Sequence, residues 1–252
     1  MSTLQTTDPA ARLIAILDKA LTTSPNQAYL NLWATAFDLN VKSVPEIYEQ
    51  IALLQQLVDD VEAAIKKVPH IKNPDQYLEP LTQLRAIIAQ PNLQSGWRQQ
   101  REVLLMIINS LRFASERLQE YSPEPVLPAS ELEAIAKQTA ELINNLHSSE
   151  TIPRALKLIL FDLLNGVQRS IAEYRFRGIR GVREQLFVIA SQIEQHSDEF
   201  EKEKDAPEVK GFFTLFKRID TVTAAMLHVG ELISKVAYLL PAIPVLLDHL
   251  PK

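Results

Sequence analysis

The sequence has no cysteine, which removes disulfides, thiolate zinc sites, iron–sulfur clusters and thiol catalysis together. Glycine is scarce, six in 252 residues, and β-branched runs flanked by tight-turn dipeptides are missing, so a sheet of any size is not expected. Neither sign of charge dominates, because the formal net charge is only −5. A general nucleic-acid binder usually carries a basic excess, and none is expected here. At the N-terminus there is no basic segment ahead of Leu13 to Leu17, and that apolar run is too short for a secretion signal. Together with the missing cysteines, this predicts a cytoplasmic protein.

What the chain does have is helical periodicity. Ile47, Ile51, Leu54, Val58, Val61, Ile65 and Val68 are spaced by alternating steps of four and three. The same rhythm runs through Leu215, Ile219, Val222, Met226, Val229, Ile233, Val236 and Leu240. A mean step of 3.5 puts each series on one face of a long helix and calls for a neighbouring helix nearly alongside. The expected fold is therefore all-α: an elongated multi-helix bundle with long heptad-patterned helices, divisible into two sub-bundles. The 15 prolines fit this fold, because Pro9, Pro25, Pro45, Pro74, Pro91, Pro128 and Pro153 stand near helix starts, where proline costs least.

Ten helices are expected. The first five run from about Asp8 to Leu21, Asn26 to Leu39, Pro45 to Val68, Pro74 to Gln90 and Gly96 to Glu120. Pro123, Pro125 and Pro128 then favour an extended, semi-rigid spacer over residues 121–128, dividing an N-terminal bundle (1–120) from a C-terminal one (129–252). In the second half, helices are expected from Ser130 through Leu146, from Ile152 to Phe176, from Val182 to Phe200 and beyond Gly211. Ala242 to Leu250 forms a short apolar tail. No repeat of 20–50 residues recurs.

Chemistry is hard to find. His70, His147, His196, His228 and His249 form no His-Glu-x-x-His pair, and no glutamate stands three residues before any of them. The zinc-protease pattern and the Glu-x-x-His pair of di-iron bundles are both disfavoured. His228 and Glu231 are read as flanks of the apolar seam. Gly178 and Gly181 lack a Walker or dinucleotide pattern, and there is no Gly-x-Ser-x-Gly elbow. Asp59-Asp60 and Asp198-Glu199 read as ordinary acidic surface. No catalytic residue, cofactor or metal site is assigned, and an enzyme is not expected.

The most distinctive polar feature is a basic turn over residues 169–183. From Arg154 to Arg183 there are seven basic residues against Asp162 and Glu173. From Glu194 to Glu208, the acidic connector 194–208, the balance reverses to seven acidic residues against Lys202 and Lys204. Arg169, Arg175, Arg177, Arg180 and Arg183 offer planar donors for carboxylates or phosphates. Arg180 and Arg183 also fall at the positive end of the following helix. Three uses compete: pairing with acids of the same bundle, a surface for a protein partner, or a site for an anion or lipid headgroup.

The C-terminal stretch Val236 to Leu247 is uncharged for twelve residues. That is well short of the ~20 needed to span a bilayer, so it is read as a docked helix or as an anchor for a partner or a membrane. These features together lead to a non-enzymatic helical interaction protein, a scaffold, adaptor or regulatory subunit. It would work through helix–helix packing, coiled-coil-like contacts and the basic turn, on a protein partner or as a homo-oligomer. The alternative is a membrane-active effector using the apolar C-terminal helix. Enzyme action at a site assembled from distant residues ranks third.

Overall fold

A computed structural model describes residues 6–69, 71 and 73–227. Among these residues the protein is all-α, with ten α-helices and one two-residue strand pair. The chain forms two compact units. Of the described residues, those within 1–126 together with 175–178 form the first, and those within 127–174 and from 179 onward form the second.

In the first unit, β1 (Thr6–Thr7) leads into α1 (Pro9–Ala20), followed by α2 (Tyr29–Ala36), α3 (Val44–Lys67), α4 (Asp75–Ile88), α5 (Arg101–Tyr121) and β2 (Glu124–Pro125). The start of α1 is set by Asp8, whose side chain accepts the Ala11 N–H at 2.9 Å, with Pro9 in the first turn. That arrangement satisfies an amide the helix cannot satisfy itself. Asp8 is also fully buried, and its second oxygen accepts the Ser115 hydroxyl at 2.6 Å. The cap is therefore also a tie between α1 and α5. Asp8→Ala removes both bonds, and we expect a loss of about 2 kcal/mol. A thermal melt unchanged to within a degree would show that neither bond matters.

Helix α1 packs against α5, α2 and α3, and α4 packs on α5 and α3. The seam of α3 is used as the spacing predicts: Ile47, Ile51, Leu54, Val58, Val61 and Ile65 are all buried, with Val68 packed at the edge of the core. Trp33 and Trp97 are fully buried beside it, and the Trp97 indole donates to the Ser24 carbonyl at 3.0 Å.

The stretch read as a spacer is extended, and part of it is packed, while Tyr121, Ser122, Pro123 and Pro128 are exposed. Thr6–Thr7 pairs antiparallel with Glu124–Pro125, and Glu124 is buried. Residues 175–178, assigned by sequence order to the C-terminal bundle, belong to the first unit. Phe176 is buried there, tilted against Phe37 with ring centroids 5.9 Å apart.

In the second unit, α6 (Ala129–Ser148) is followed by α7 (Arg154–Ala172), α8 (Tyr174–Gln195), α9 (Ser197–Lys202) and α10 (Pro207–Leu227). The helical part of α8 in this unit is Ile179 onward. The expected turn at 178–181 is shorter than predicted, because Gly178 alone has non-helical dihedrals and Gly181 already lies in helix. Lys157 donates to the His147 and Ser149 carbonyls at 3.2 and 3.0 Å, closing the C-terminal end of α6. Carbonyls there have no partner within the helix, and a cation suits that end of its dipole.

The acidic connector is folded as α9, with Glu194, Asp198, Glu199, Glu201 and Asp205 exposed and one anchoring side chain inside. Phe200 of α9 is fully buried against Phe212 and Phe213, with centroids 6.1 and 5.6 Å away. Lys210 pairs with Asp205 at 2.9 Å, which holds the Asp205 carboxyl below its ordinary pKa. Helix α10 starts at Pro207, four residues before the expected position, and Gly211 lies inside it. A Cβ at Gly211 would stand 2.6 Å from Leu142 Cδ2, so glycine there lets α10 approach α6 closely.

The predicted α10 seam holds at Leu215 and Ile219, which are buried, but Val222 and Met226 are only half-buried. Beyond Ile219 the buried face turns to Asp220, Thr223 and Ala224. The seam positions Val229, Ile233, Val236 and Leu240, the tail after them, and His70, His228 and His249 lie outside the described residues.

Candidate functional site

The five arginines of the basic turn do not form one site within either unit. Arg175 and Arg177 belong to the first unit, and Arg169, Arg180 and Arg183 to the second. Arg175 is half-buried and donates to the Phe37 carbonyl at 3.1 Å and to Gln50 Oε1 at 2.8 Å. Its guanidinium lies over the Phe176 and Phe37 rings and 3.8 Å from Asp38. Burial pushes its pKa down, and the Asp38 charge pulls the other way. Arg183 is buried, donating to Asp220 Oδ1 at 3.0 Å, with Asp220 fully enclosed. For these two arginines the intramolecular use prevails. Arg177 is half-buried, whereas Arg169 and Arg180 are exposed.

The segment 175–178 is held by a residue the sequence did not single out. Arg12 of α1 donates through Nε to the Phe176 carbonyl at 3.2 Å and through Nη1 to Glu124 Oε2. Both side chains of this pair are almost wholly enclosed. Gly178 stands against it, with φ +59° and ψ −158°. In sequence, Arg12 and Glu124 look like ordinary surface charges; only folding brings them together.

A second feature missed in sequence lies on α8. Its inward face is Ile179, Val182, Leu186, Ile189 and Ile193, all buried. Its outward face carries Arg180, Glu184, Phe187, Val188, Ser191 and Glu194, all exposed. Phe187 and Val188 are 50 % and 51 % exposed side by side. Phe187 also covers the Arg183 guanidinium at 5.6 Å, which fixes the ring from below. The signal available in sequence was an apolar pair outside the three-four stripe of its own helix. On α5 of the first unit Met106 and Phe113 are exposed too, but two turns apart.

Among the described residues, two open cavities each lie within one unit and are lined as follows. One, of about 510 Å³, is lined by Val68, Pro69, Ile71, Tyr77, Arg117, Glu120 and Tyr121. Arg117 there is paired with Glu120 at 3.0 Å. The other, of about 410 Å³, lies where the end of α6 meets the first turn of α10 and includes Ser148, Ser149, Thr151 and Glu208. Among the described residues, no three His, Asp or Glu side chains are grouped to hold a metal ion. Asp59 lies at the surface, ion-paired with Arg85 at 2.7 Å. No described helix is long and apolar enough to cross a membrane. Compared with models of protein families, with curated proteins and with solved structures, the chain matches none.

Proposed function

We propose that the chain is a non-enzymatic helical interaction protein whose outward α8 face receives a helix of a protein partner. The observation that carries this reading is the adjacent exposure of Phe187 and Val188, at 50 % and 51 %. Isolated apolar side chains are normal on a surface, whereas a contiguous apolar patch rimmed by charge marks a contact site. The basic turn contributes Arg180 to that rim, while Arg169 in the second unit and Arg177 in the first are candidates apart from this face. Arg175 and Arg183 act as positioning residues. A cysteine-free composition suits a reducing compartment, and the cytoplasm is the proposed location.

Sedimentation velocity over a concentration series tests the reading. The protein should associate as its concentration rises, and Phe187→Ser with Val188→Ser should abolish that association. Both positions are at the surface, so the melting temperature should move by no more than about 2 °C. The alternative, a membrane-active effector using the apolar C-terminal stretch, rests on residues outside the described ones and would appear as co-sedimentation with anionic vesicles, lost on removing residues 241–252. A protein that stays monomeric and binds no vesicle would return the pair to ordinary surface and overturn the proposal.

A further inference from the structure

The cavity of about 410 Å³ at the end of α6 contains a carboxylate oxygen with nothing to bond. Glu208, the second residue of α10, is half-buried as a whole. Its Oε2, however, is fully enclosed and has no hydrogen-bond partner among the described residues. Enclosed polar atoms are normally satisfied, and one left without a donor loses its hydration for no gain. A carboxylate only accepts, so the missing group is a donor, and a charged donor serves best.

The rest of the lining asks for the same kind of ligand. Ser148 gives its hydroxyl proton to the Asn144 and Asn145 carbonyls, at 3.3 and 3.1 Å, which leaves its oxygen as an acceptor. Ser149 and Thr151 share one hydroxyl bond at 3.0 Å. Glu150 adds a second carboxylate, and the lining residues include no lysine or arginine. Lys157, close by in sequence, is already engaged by the His147 and Ser149 carbonyls. Helix α6 also ends here, at the negative pole of its dipole. The positive pole of α10 acts the other way, but Glu208 itself opposes it. Two carboxylates repel an anion, so the cavity suits a cation. One wall is apolar, formed by Leu142 and Pro207. A single metal ion would use neither that wall nor so much space. We propose that this cavity binds a primary ammonium group carried on a short aliphatic stem. The head bonds Glu208 Oε2 and the hydroxyl oxygens, and the methylenes lie along Leu142 and Pro207, as lysine stems do on apolar surface. A free diamine and the lysine side chain of another protein carry this same group. None of the lining residues belongs to α8, so the site does not depend on the interaction reading above.

Calorimetric titration of the full chain in an amine-free buffer tests the site. Putrescine stands for the free amine, and lysine blocked at its α-amino and carboxyl groups stands for the side chain. At least one should bind saturably with a dissociation constant of about 1 mM or tighter, and the tighter of the two identifies the source. Butanol, which has the stem without the charge, should not bind. Glu208→Gln keeps the shape but replaces a charge-assisted bond with a neutral one, and should weaken binding about tenfold or more. Asn145 lines the cavity from an exposed position on α6. Asn145→Lys supplies an ammonium from the chain itself, so it should abolish binding without lowering the melting temperature. That variant keeps the test decisive if Glu208→Gln folds poorly. If neither amine binds, or if both variants bind like wild type, the proposal is overturned. Calcium binding in place of the amines, lost in Glu208→Gln, would also overturn it and make the cavity a metal site.

Discussion

Glu124→Ala should destabilise the first unit by about 3–5 kcal/mol, the range for leaving one partner of a buried ion pair alone. Arg12 and Glu124 have side chains only 9 % and 4 % exposed, so water cannot take the place of the lost carboxylate. Arg12 would keep one bond, from Nε to the Phe176 carbonyl at 3.2 Å. Its charge would otherwise be uncompensated in a closed site. The melting temperature should fall by about 10 °C or more. Arg12→Leu with Glu124→Leu removes both charges and should recover most of the loss, because burial of the pair costs nearly what its attraction returns. A single substitution tolerated to within 1 kcal/mol would mean that water reaches the guanidinium.

How much of this was legible in sequence depended on whether the signal was periodic. The α3 stripe reads directly, since seven positions on one 3.5-residue rhythm have only one face to bury, and the structure buries the first six. Among its described positions, the α10 stripe reads correctly only through Ile219. There the hydrophobic count favoured Val222 and Met226, but the buried Arg183–Asp220 bond turns the enclosed face toward Asp220 and Thr223. A charge with a partner can occupy a core position that periodicity reserves for an apolar residue. In the acidic connector the charges read correctly as exposed, but its anchor did not, since a single side chain, Phe200, holds it among Phe212 and Phe213. Long-range partners were out of reach. Nothing local links Arg12 to Glu124, 112 positions apart, or Arg175 to Gln50, 125 apart. The arginine cluster therefore stood out by composition, and only geometry separates its structural members from its exposed ones.

Gly178→Ala should be nearly as damaging as Glu124→Ala, through a different cause. With φ +59° and ψ −158°, Gly178 occupies a region essentially closed to residues with a Cβ, at a cost of about 1–3 kcal/mol. The added methyl would also stand 2.8 Å from Arg12 Nη1, 3.0 Å from Arg12 Cζ and 3.2 Å from Glu124 Oε2. Neither side chain can yield cheaply, since each is held by the other and both are enclosed. Backbone strain and a displaced ion pair together should bring the loss to about 3–4 kcal/mol. The two contributions can be separated by a double-mutant cycle in urea. Glu124→Ala removes the carboxylate and releases Arg12, so a methyl at 178 then has room, and only the backbone term remains. The double variant should lose clearly less than the two single losses added together, a coupling expected only for residues in contact. Strict additivity would mean that the dihedral strain acts alone and that the Arg12–Glu124 pair does not press on residue 178.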